Sequence, residues 1–254
     1  MPPVPDQGVC IRQRDWSETS QTAVILAREH GLLRVLAKGS RRDKAPYSGG
    51  LEVLARADFD FIAKPAGRLA LLTSWDLTET YRACRTELPR FHASMFLADL
   101  VGRAVQDADP HPKLHDALVT ALRALDSGAP VERALLEFQW TLLVEIGHKP
   151  ELAAHAGTGA PPRGARAFGF SPDLGGVVDD PGPNPGERVW RARHETIDLL
   201  RRLEAGADLD ASSPASLERA GRLLAHYTRS RLEIDPPTLG LVYPDPVARP
   251  GQRG

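Results

Sequence analysis

The spacing of apolar residues changes once along this chain, near Trp75, and that change constrains the fold more than any other feature. Upstream, apolar and polar residues alternate in short runs, the period of strands with one buried face. Val9-Cys10-Ile11-Arg12-Gln13-Arg14 is the first such run. Thr22 to Arg28 and Leu32 to Lys38 follow, parted only by Glu29-His30-Gly31, which predicts a hairpin. Leu51 to Leu54, continued through Phe59 and Phe61, predicts a long fourth strand. Pro65 and Gly67 turn the chain into a fifth, Arg68 to Trp75. Downstream the period becomes helical. Phe96, Leu97, Leu100, Val101, Ala104 and Val105 share a face that ends at Pro110 and Pro112. Leu114, Leu118, Leu122 and Leu125 mark a second helix, ended by Gly128 and Pro130. Val131 to Ile146 is apolar nearly all round, as a central buried helix is, and Gly147 stops it.

Residues 148–187 obey neither period. Pro150, Pro161, Pro162, Pro172, Pro181, Pro183 and Pro185 lie among many glycines, and only Phe168 to Val178 reads as strand. Two helices then close the chain. One runs from about Glu187 to Ala205, and the other starts at Ser213-Pro214, a capping residue with proline in the first turn. After Pro236 the tail reads as extended or disordered. The expected class is α+β: an N-terminal five-stranded OB-fold barrel, then a helical domain with a Gly/Pro-rich insertion. An SH3-like barrel would give a similar strand list, so spacing alone leaves that alternative open. The expected division is 1–80 for the barrel and 81–254 for the rest, with the insertion at about 148–187.

A net charge of -1 does not announce a polyanionic partner, so any such site must come from local clustering. One cluster exists: Arg28, Arg34, Lys38, Arg41, Arg42 and Lys44, against only Glu29 and Asp43 in the same interval. Alternation puts Arg34, Leu36 and Lys38 on one strand face, with Arg41, Arg42 and Lys44 on the loop that follows, an arrangement suited to phosphate oxygens. The plain alternative is a solvated strand face, the commoner meaning of a charge run. Single-strand binders add aromatic platforms. Among Tyr47, Phe59, Phe61 and Trp75, the loop residue Tyr47 is the candidate to stack on a base, while Phe59 and Phe61 are expected in the core. Arg201 and Arg202, with Arg191 and Arg193, have acids nearby and read as helix-surface pairs.

Three stretches resemble the RecO family of DNA-repair proteins. They are Glu18-Thr19-Ser20 followed by Ala27-Arg28-Glu29-His30-Gly31-Leu32-Leu33-Arg34; Ala37-Lys38-Gly39-Ser40-Arg41-Arg42 with Leu51-Glu52; and Phe168 to Val178, ending Leu174-Gly175-Gly176-Val177-Val178. The resemblance implies a recombination mediator that binds single- and double-stranded DNA, promotes annealing, and loads recombinase. It implies RecR as a partner, and the acidic C-terminal tail of single-stranded-DNA-binding protein as a ligand of the helical region. Phe91, Phe96, Arg103, Arg133 and Trp140 are candidates for holding that tail, although core burial is the stronger expectation for Phe96 and Trp140. Many family members bind zinc through four cysteines in the insertion. Here the matching positions hold His155, Thr158 and Asp179, with no thiolate, so the expectation is no metal and a segment packed around Phe168 and Phe170. A resemblance confined to the fold would instead leave an RNA-binding or protein-assembly adaptor.

Catalytic motifs break down where they are checked. Asp198 stands where a zincin helix opened by His194-Glu195 needs histidine, Ala165 stands where a phosphate loop needs lysine, and Asp173 stands where a nucleophile elbow needs glycine. The paired acids Asp58/Asp60 and Asp179/Asp180 read as solvated turn or strand residues. No enzyme is expected. Two distant cysteines, Cys10 and Cys84, no long apolar span and no signal-peptide layout lead to the expectation of a cytoplasmic, nucleoid-associated protein.

Overall fold

A computed structural model of the protein describes residues 2–42, 46–48, 50–65, 68–164, 166–183 and 188–244. The chain forms two compact units, residues 1–129 with 236–254, and residues 130–235.

The first unit is built on a closed barrel. Strands β1 (Val4–Asp15), β2 (Gln21–Ala27) and β3 (Gly31–Ala37) form an antiparallel meander. β5 (Arg56–Ile62) pairs with the first half of β1 and with β6 (Ala70–Glu79). β6 then runs parallel to β3, Val35 opposite Ala70, and closes the sheet. This is the five-strand closure expected of an OB-fold. A two-residue strand, β4 (Tyr47–Ser48), is added outside it along β6. Closure needs β1 to serve two neighbours, which its 12 residues allow, with a register shift between Cys10 and Arg12 where it bends from one to the other. Ile25, Val35, Phe59, Phe61, Leu72 and Trp75 fill the interior. Phe59 stacks on Trp75 with ring centroids 6.0 Å apart, so Phe59 and Phe61 are core residues as expected, and Trp75 joins them.

Two strand assignments need correction. Leu51 to Leu54 is a turn, because Leu54 takes a left-handed backbone (φ 62°) that no strand accommodates. Its apolar residues still point inward, and Cys10 and the turn exchange backbone hydrogen bonds through Leu54 and Ala55. The long members are therefore β1 and β6, not the fourth barrel strand. β6 runs past Trp75 to Glu79 because Leu77 continues the inward alternation against the barrel core.

Among the described residues, four helices complete this unit: α1 (Ala83–Thr86), α2 (Leu88–Ala104), α3 (Pro112–Asp126) and α7 (Leu239–Val242). The last lies in the tail expected to be unstructured. Tyr243 meets Phe96 edge-on at 5.8 Å, and the Thr238 hydroxyl donates to Asp99 Oδ2 at 2.8 Å, which fixes it to α2. Positions after residue 244 lie outside the described residues.

The second unit contains α4 (Val131–Glu145), β7 (Ala167–Ser171), β8 (Gly176–Val178), β9 (Trp190–Arg193), α5 (His194–Glu204) and α6 (Pro214–Arg231). Ser213 caps α6 by accepting the Ser216 amide, as its sequence predicts. The three strands form a sheet in the order β8-β7-β9. β9 corrects the reading of one continuous helix before Ala205: Trp190 to Arg193 is extended, and the helix starts at His194. Phe170 is fully buried among Trp140, Leu200, Leu224 and Tyr227, with Phe168 packed beside it, so the insertion does fold around these two rings. The Gly175-Gly176 pair admits the segment at Glu151. A Cβ on Gly176 would stand 2.2 Å from the Glu151 carbonyl oxygen.

Candidate nucleic-acid interface

The cationic positions predicted from sequence divide into three groups. Arg34 projects from the outer face of β3 and Lys38 stands one residue past its end, both exposed, while Leu33, Val35 and Ala37 face the core. Arg41 and Arg42 are exposed on the loop that follows. That loop is anchored to the β1–β2 loop: the Gly39 amide donates to Ser20 Oγ at 3.0 Å, the Arg41 amide to the Thr19 carbonyl at 3.2 Å, and the Ser40 hydroxyl to Gln21 Oε1 at 2.8 Å. Arg28 stands at the other end of the β2–β3 hairpin, about 20 Å away at ~3.3 Å per residue. Its guanidinium makes a bidentate pair with Asp116 (3.0 and 2.9 Å) and reaches Glu29 at 2.5 Å. The Arg28 hydrogen bond in turn holds the Asp116 carboxyl down at about 2. Arg28 thus ties the hairpin to α3. Lys44 lies outside the described residues.

Tyr47 needs correction as a stacking residue. It sits in β4 with its ring buried, and its hydroxyl donates to the Leu72 carbonyl at 2.8 Å. Burial pushes the phenol's pKa up. A ring enclosed by barrel core offers no face to a base.

Sequence reasoning missed the residues that complete the face. The registers place Arg12 opposite Val24 and Val24 opposite Arg34, so two arginines flank an apolar side chain across three strands. One row further on, Arg14 lies opposite Thr22. Trp16, 64% exposed, follows in the β1–β2 loop. Together with Arg34 these line a groove of about 280 Å³. Arg34 and Leu69 also border a larger hollow of about 580 Å³, with Leu32, Leu33 and Phe61 on its apolar side and Lys64 and Arg68 on its rim. Arg34 and Leu69 line both hollows, and the smaller one is a trough on the outer face of β1–β3. A signal was present in the sequence: Arg12 and Arg14 alternate, and an aromatic stands two positions on.

Partners decide which cations are available. Arg34 donates to Asp107 Oδ2 at 2.7 Å and Arg41 to Asp15 Oδ1 at 2.5 Å, all four side chains about half exposed. Exposed pairs of this kind contribute about 0–1 kcal/mol, so a phosphate can displace the carboxylate at little cost. Arg12 reaches Asp99 only at 3.9 Å. Among the described residues, Arg14, Lys38, Arg42, Lys64 and Arg68 have no ion-pair partner and are exposed. An open cationic trough bordered by an exposed indole has the composition that single strands require: charge for the backbone and a π-face for a base.

The proposed tail-binding residues lie on two helices. Phe91, Phe96 and Arg103 belong to α2 in the first unit, whereas Arg133 and Trp140 belong to α4 in the second. Phe96 and Trp140 are buried, and Arg133 pairs with Glu137 and Asp210. The positions corresponding to zinc ligands are engaged otherwise: His155 Nδ1 accepts the Gly157 amide and Asp179 Oδ1 the Arg163 amide. With no thiolate among them, this donor set does not fit zinc. Among the described residues no three His, Cys, Asp or Glu side chains gather as a metal site, and no helix is long and apolar enough to cross a membrane.

Barrel closure and strand order define the N-terminal part as an OB-fold. Comparison with known proteins makes the assignment particular. The family described as "Recombination protein O N terminal" matches residues 1–81, and "Recombination protein O C terminal" matches residues 85–239. "DNA repair protein RecO" of Rhodopirellula baltica is 32% identical over 208 residues, covering 81% of this chain and 77% of its own. The protein of that name from Anaeromyxobacter sp. strain K is 31% identical over 216 residues, covering 85% and 84%. That from Roseiflexus sp. is 28% identical over 242 residues, covering 93% and 83%. The chain belongs to the RecO family of DNA repair proteins.

Proposed function

We propose that this protein binds single- and double-stranded DNA along the barrel trough, promotes strand annealing, and helps load recombinase together with RecR and single-stranded-DNA-binding protein. The observation that carries the proposal is the row Arg12–Val24–Arg34, extended by Arg14 and Trp16, with the exposed Lys38 and Arg42 on the loop that follows β3. Phosphates are held by cations that need no exact spacing, so capture is independent of sequence. Trp16 stacks on a base and lays the strand along the groove. Annealing then requires only that two captured strands lose mutual repulsion as their phosphates are neutralised. No covalent step is involved, and the protein acts without catalysis or zinc, in the cytoplasm at the nucleoid. RecR and the single-stranded-DNA-binding protein enter this proposal through family membership.

The test is simultaneous charge reversal of Arg14, Lys38 and Arg42, with Trp16→Ala as a separate variant. All four residues are exposed, so thermal unfolding should stay at the wild-type temperature. Affinity for a thymine oligonucleotide should fall by about tenfold or more, and the plot of log affinity against log salt should flatten by about 2, at ~0.7 per lost phosphate contact. Trp16→Ala should weaken single-strand binding by ~1–3 kcal/mol and leave duplex binding nearly unchanged. Wild-type DNA affinity in the folded triple variant would remove this cationic face from the proposal. Tighter binding to RNA than to either form of DNA would favour the adaptor alternative.

A further inference from the structure

The larger hollow beside Arg34 has a shape that electrostatic capture of a strand does not require. Among the described residues β3 pairs with β6 over Val35 to Ala37 alone, so Leu32 to Arg34 stand apart from that neighbour. Asp107 bridges to Leu32 instead, and the Ala108 amide donates to the Leu32 carbonyl at 3.0 Å. Between this stretch and the residues that lead into β6 lies a cavity of about 580 Å³, with the buried Leu33 and Phe61 as its floor. Pockets for small organic ligands span roughly 300–1,000 Å³.

The polar edge of this cavity is both acidic and basic. Glu29 and Asp107 bring carboxylates to it, and Arg34, Lys64 and Arg68 bring cations. His30 borders it in a fixed orientation. Its Nδ1–H donates to Asp6 Oδ2 at 2.7 Å, and the Asp6 side chain is only 1% exposed. The Glu29 amide donates to the same carboxylate at 3.2 Å, which holds the hairpin turn in place. The His30 ring also meets Phe61 edge-on at 5.1 Å. With Nδ1 engaged, Nε2 is the ring nitrogen left for a ligand.

We infer that the cavity takes in one unpaired nucleobase from a strand held on the cationic face, and that Asp107 changes partner as the base enters. Arg34 lines both the cavity and the trough, so a phosphate at Arg34 brings its base within reach of the cavity. Without DNA, Arg34 donates to Asp107 Oδ2 at 2.7 Å. A phosphate that takes Arg34 frees this carboxylate to accept from an exocyclic amine or ring N–H of the base, whose faces pack on Leu33 and Phe61. The mixed edge favours a base over a peptide. A base edge carries donors and acceptors side by side. An acidic peptide would meet Glu29 and Asp107, and an apolar one would strip water from the charged rim. A paired base cannot enter without leaving its stack, so the cavity selects unpaired strand over duplex. The inference rests on the DNA-binding reading above and deepens it.

The test compares an oligodeoxycytidine decamer with a decamer of abasic deoxyribose phosphates, which keeps the charge and lacks the bases. Trp16→Ala is the background in every arm, so that stacking on the indole does not contribute. The decamer with bases should bind about tenfold tighter. Ala63→Trp, at an exposed position on the cavity wall, should obstruct the cavity and bring that ratio close to one, with the salt dependence of binding unchanged. Asp107→Ala should act in two directions: affinity for the abasic decamer rises, because Arg34 loses its competitor, while the ratio falls. A 2-aminopurine in the strand should brighten on binding as it leaves its neighbours, and should stay dim with Ala63→Trp. A ratio near one before the cavity is obstructed, or a tenfold ratio that survives Ala63→Trp, overturns the inference. Failure of the DNA reading itself would appear elsewhere, as wild-type affinity in the triple charge reversal of Arg14, Lys38 and Arg42, which leaves the cavity untouched.

Discussion

Arginine does opposite jobs in the two units. On the barrel, Arg14 and Arg42 project into solvent without an ion-pair partner among the described residues, and Arg34 and Arg41 pair with exposed carboxylates. In the second unit Arg201 donates twice to the Leu152 carbonyl, at 2.9 and 2.6 Å, and lies over the Phe168 ring at 5.5 Å. Arg202 donates to the Asp208 carbonyl at 2.6 Å. These arginines fasten the insertion and its neighbouring loop to α5 within that unit, adding to the short β7–β8 pairing that the segment makes for itself. A run of arginines in a sequence thus carries no fixed meaning. What each one bonds to decides whether it supports the fold or faces a ligand.

The sharpest way to break this contrast is to ask what holds the insertion. If apolar packing does, Phe170→Ala should cost as much as Trp75→Ala in the barrel, ~3–5 kcal/mol each, read from denaturant unfolding. Both rings are fully buried in well-defined clusters. A cost under about 1 kcal/mol for Phe170→Ala would mean that something other than this core holds the segment. The arginine contrast itself is tested one step lower. Arg201→Ala removes hydrogen bonds from a cation to a carbonyl and should destabilise by ~1.5–3 kcal/mol, while affinity for DNA stays at the wild-type value. A stable Arg201→Ala protein that binds DNA poorly would reverse the assignment of roles.

The two units also differ in how far their sequences reveal them. β2, β3 and the aromatic core of β5 were readable because alternation in a half-buried strand is a local property. Leu51 to Leu54 misled because burial was read as strand, when the positive φ at Leu54 turns the chain while its side chain stays inside. β9 was read as helix because Trp190, Ile197 and Leu200 imitate helical spacing across a strand–helix junction. Among the candidate residues, the exposure of Arg34, Lys38, Arg41 and Arg42 was legible from charge and alternation. The acid that engages Arg28, Asp116, lies 88 residues away, and no local pattern contains that partner. Tyr47 looked like a loop residue among glycines, yet two residues of pairing along β6 bury it. Trp16 and Arg12 were overlooked because their grouping with Arg34 exists only once strand register is known.

A third role for arginine, inside the first unit, gives the smallest and most specific effect. Glu79 at the end of β6 accepts from Arg123 of α3 at 2.8 and 2.5 Å and from Arg56 of β5 at 2.5 Å. The Arg123 hydrogen bond is the main cause that lowers the Glu79 carboxyl from 4.5 to about 2, with Arg56 acting in the same direction against partial desolvation. A carboxyl depressed in the folded state contributes stability that is fully present above its unfolded value and is lost as pH falls. For Glu79 that loss falls between about 4.5 and 2. Allowing for solvent screening, the contribution is on the order of 1 kcal/mol. Glu79→Gln should therefore lower stability by about that amount at pH 7, and the gap to wild type should close as unfolding is measured at successively lower pH. Asp116, held down by Arg28 over a similar range, is present in both proteins and cancels in the difference. A gap that stays constant down to pH 3 would show that Glu79 acts through packing alone, and that this three-residue junction is not the electrostatic clamp its geometry describes.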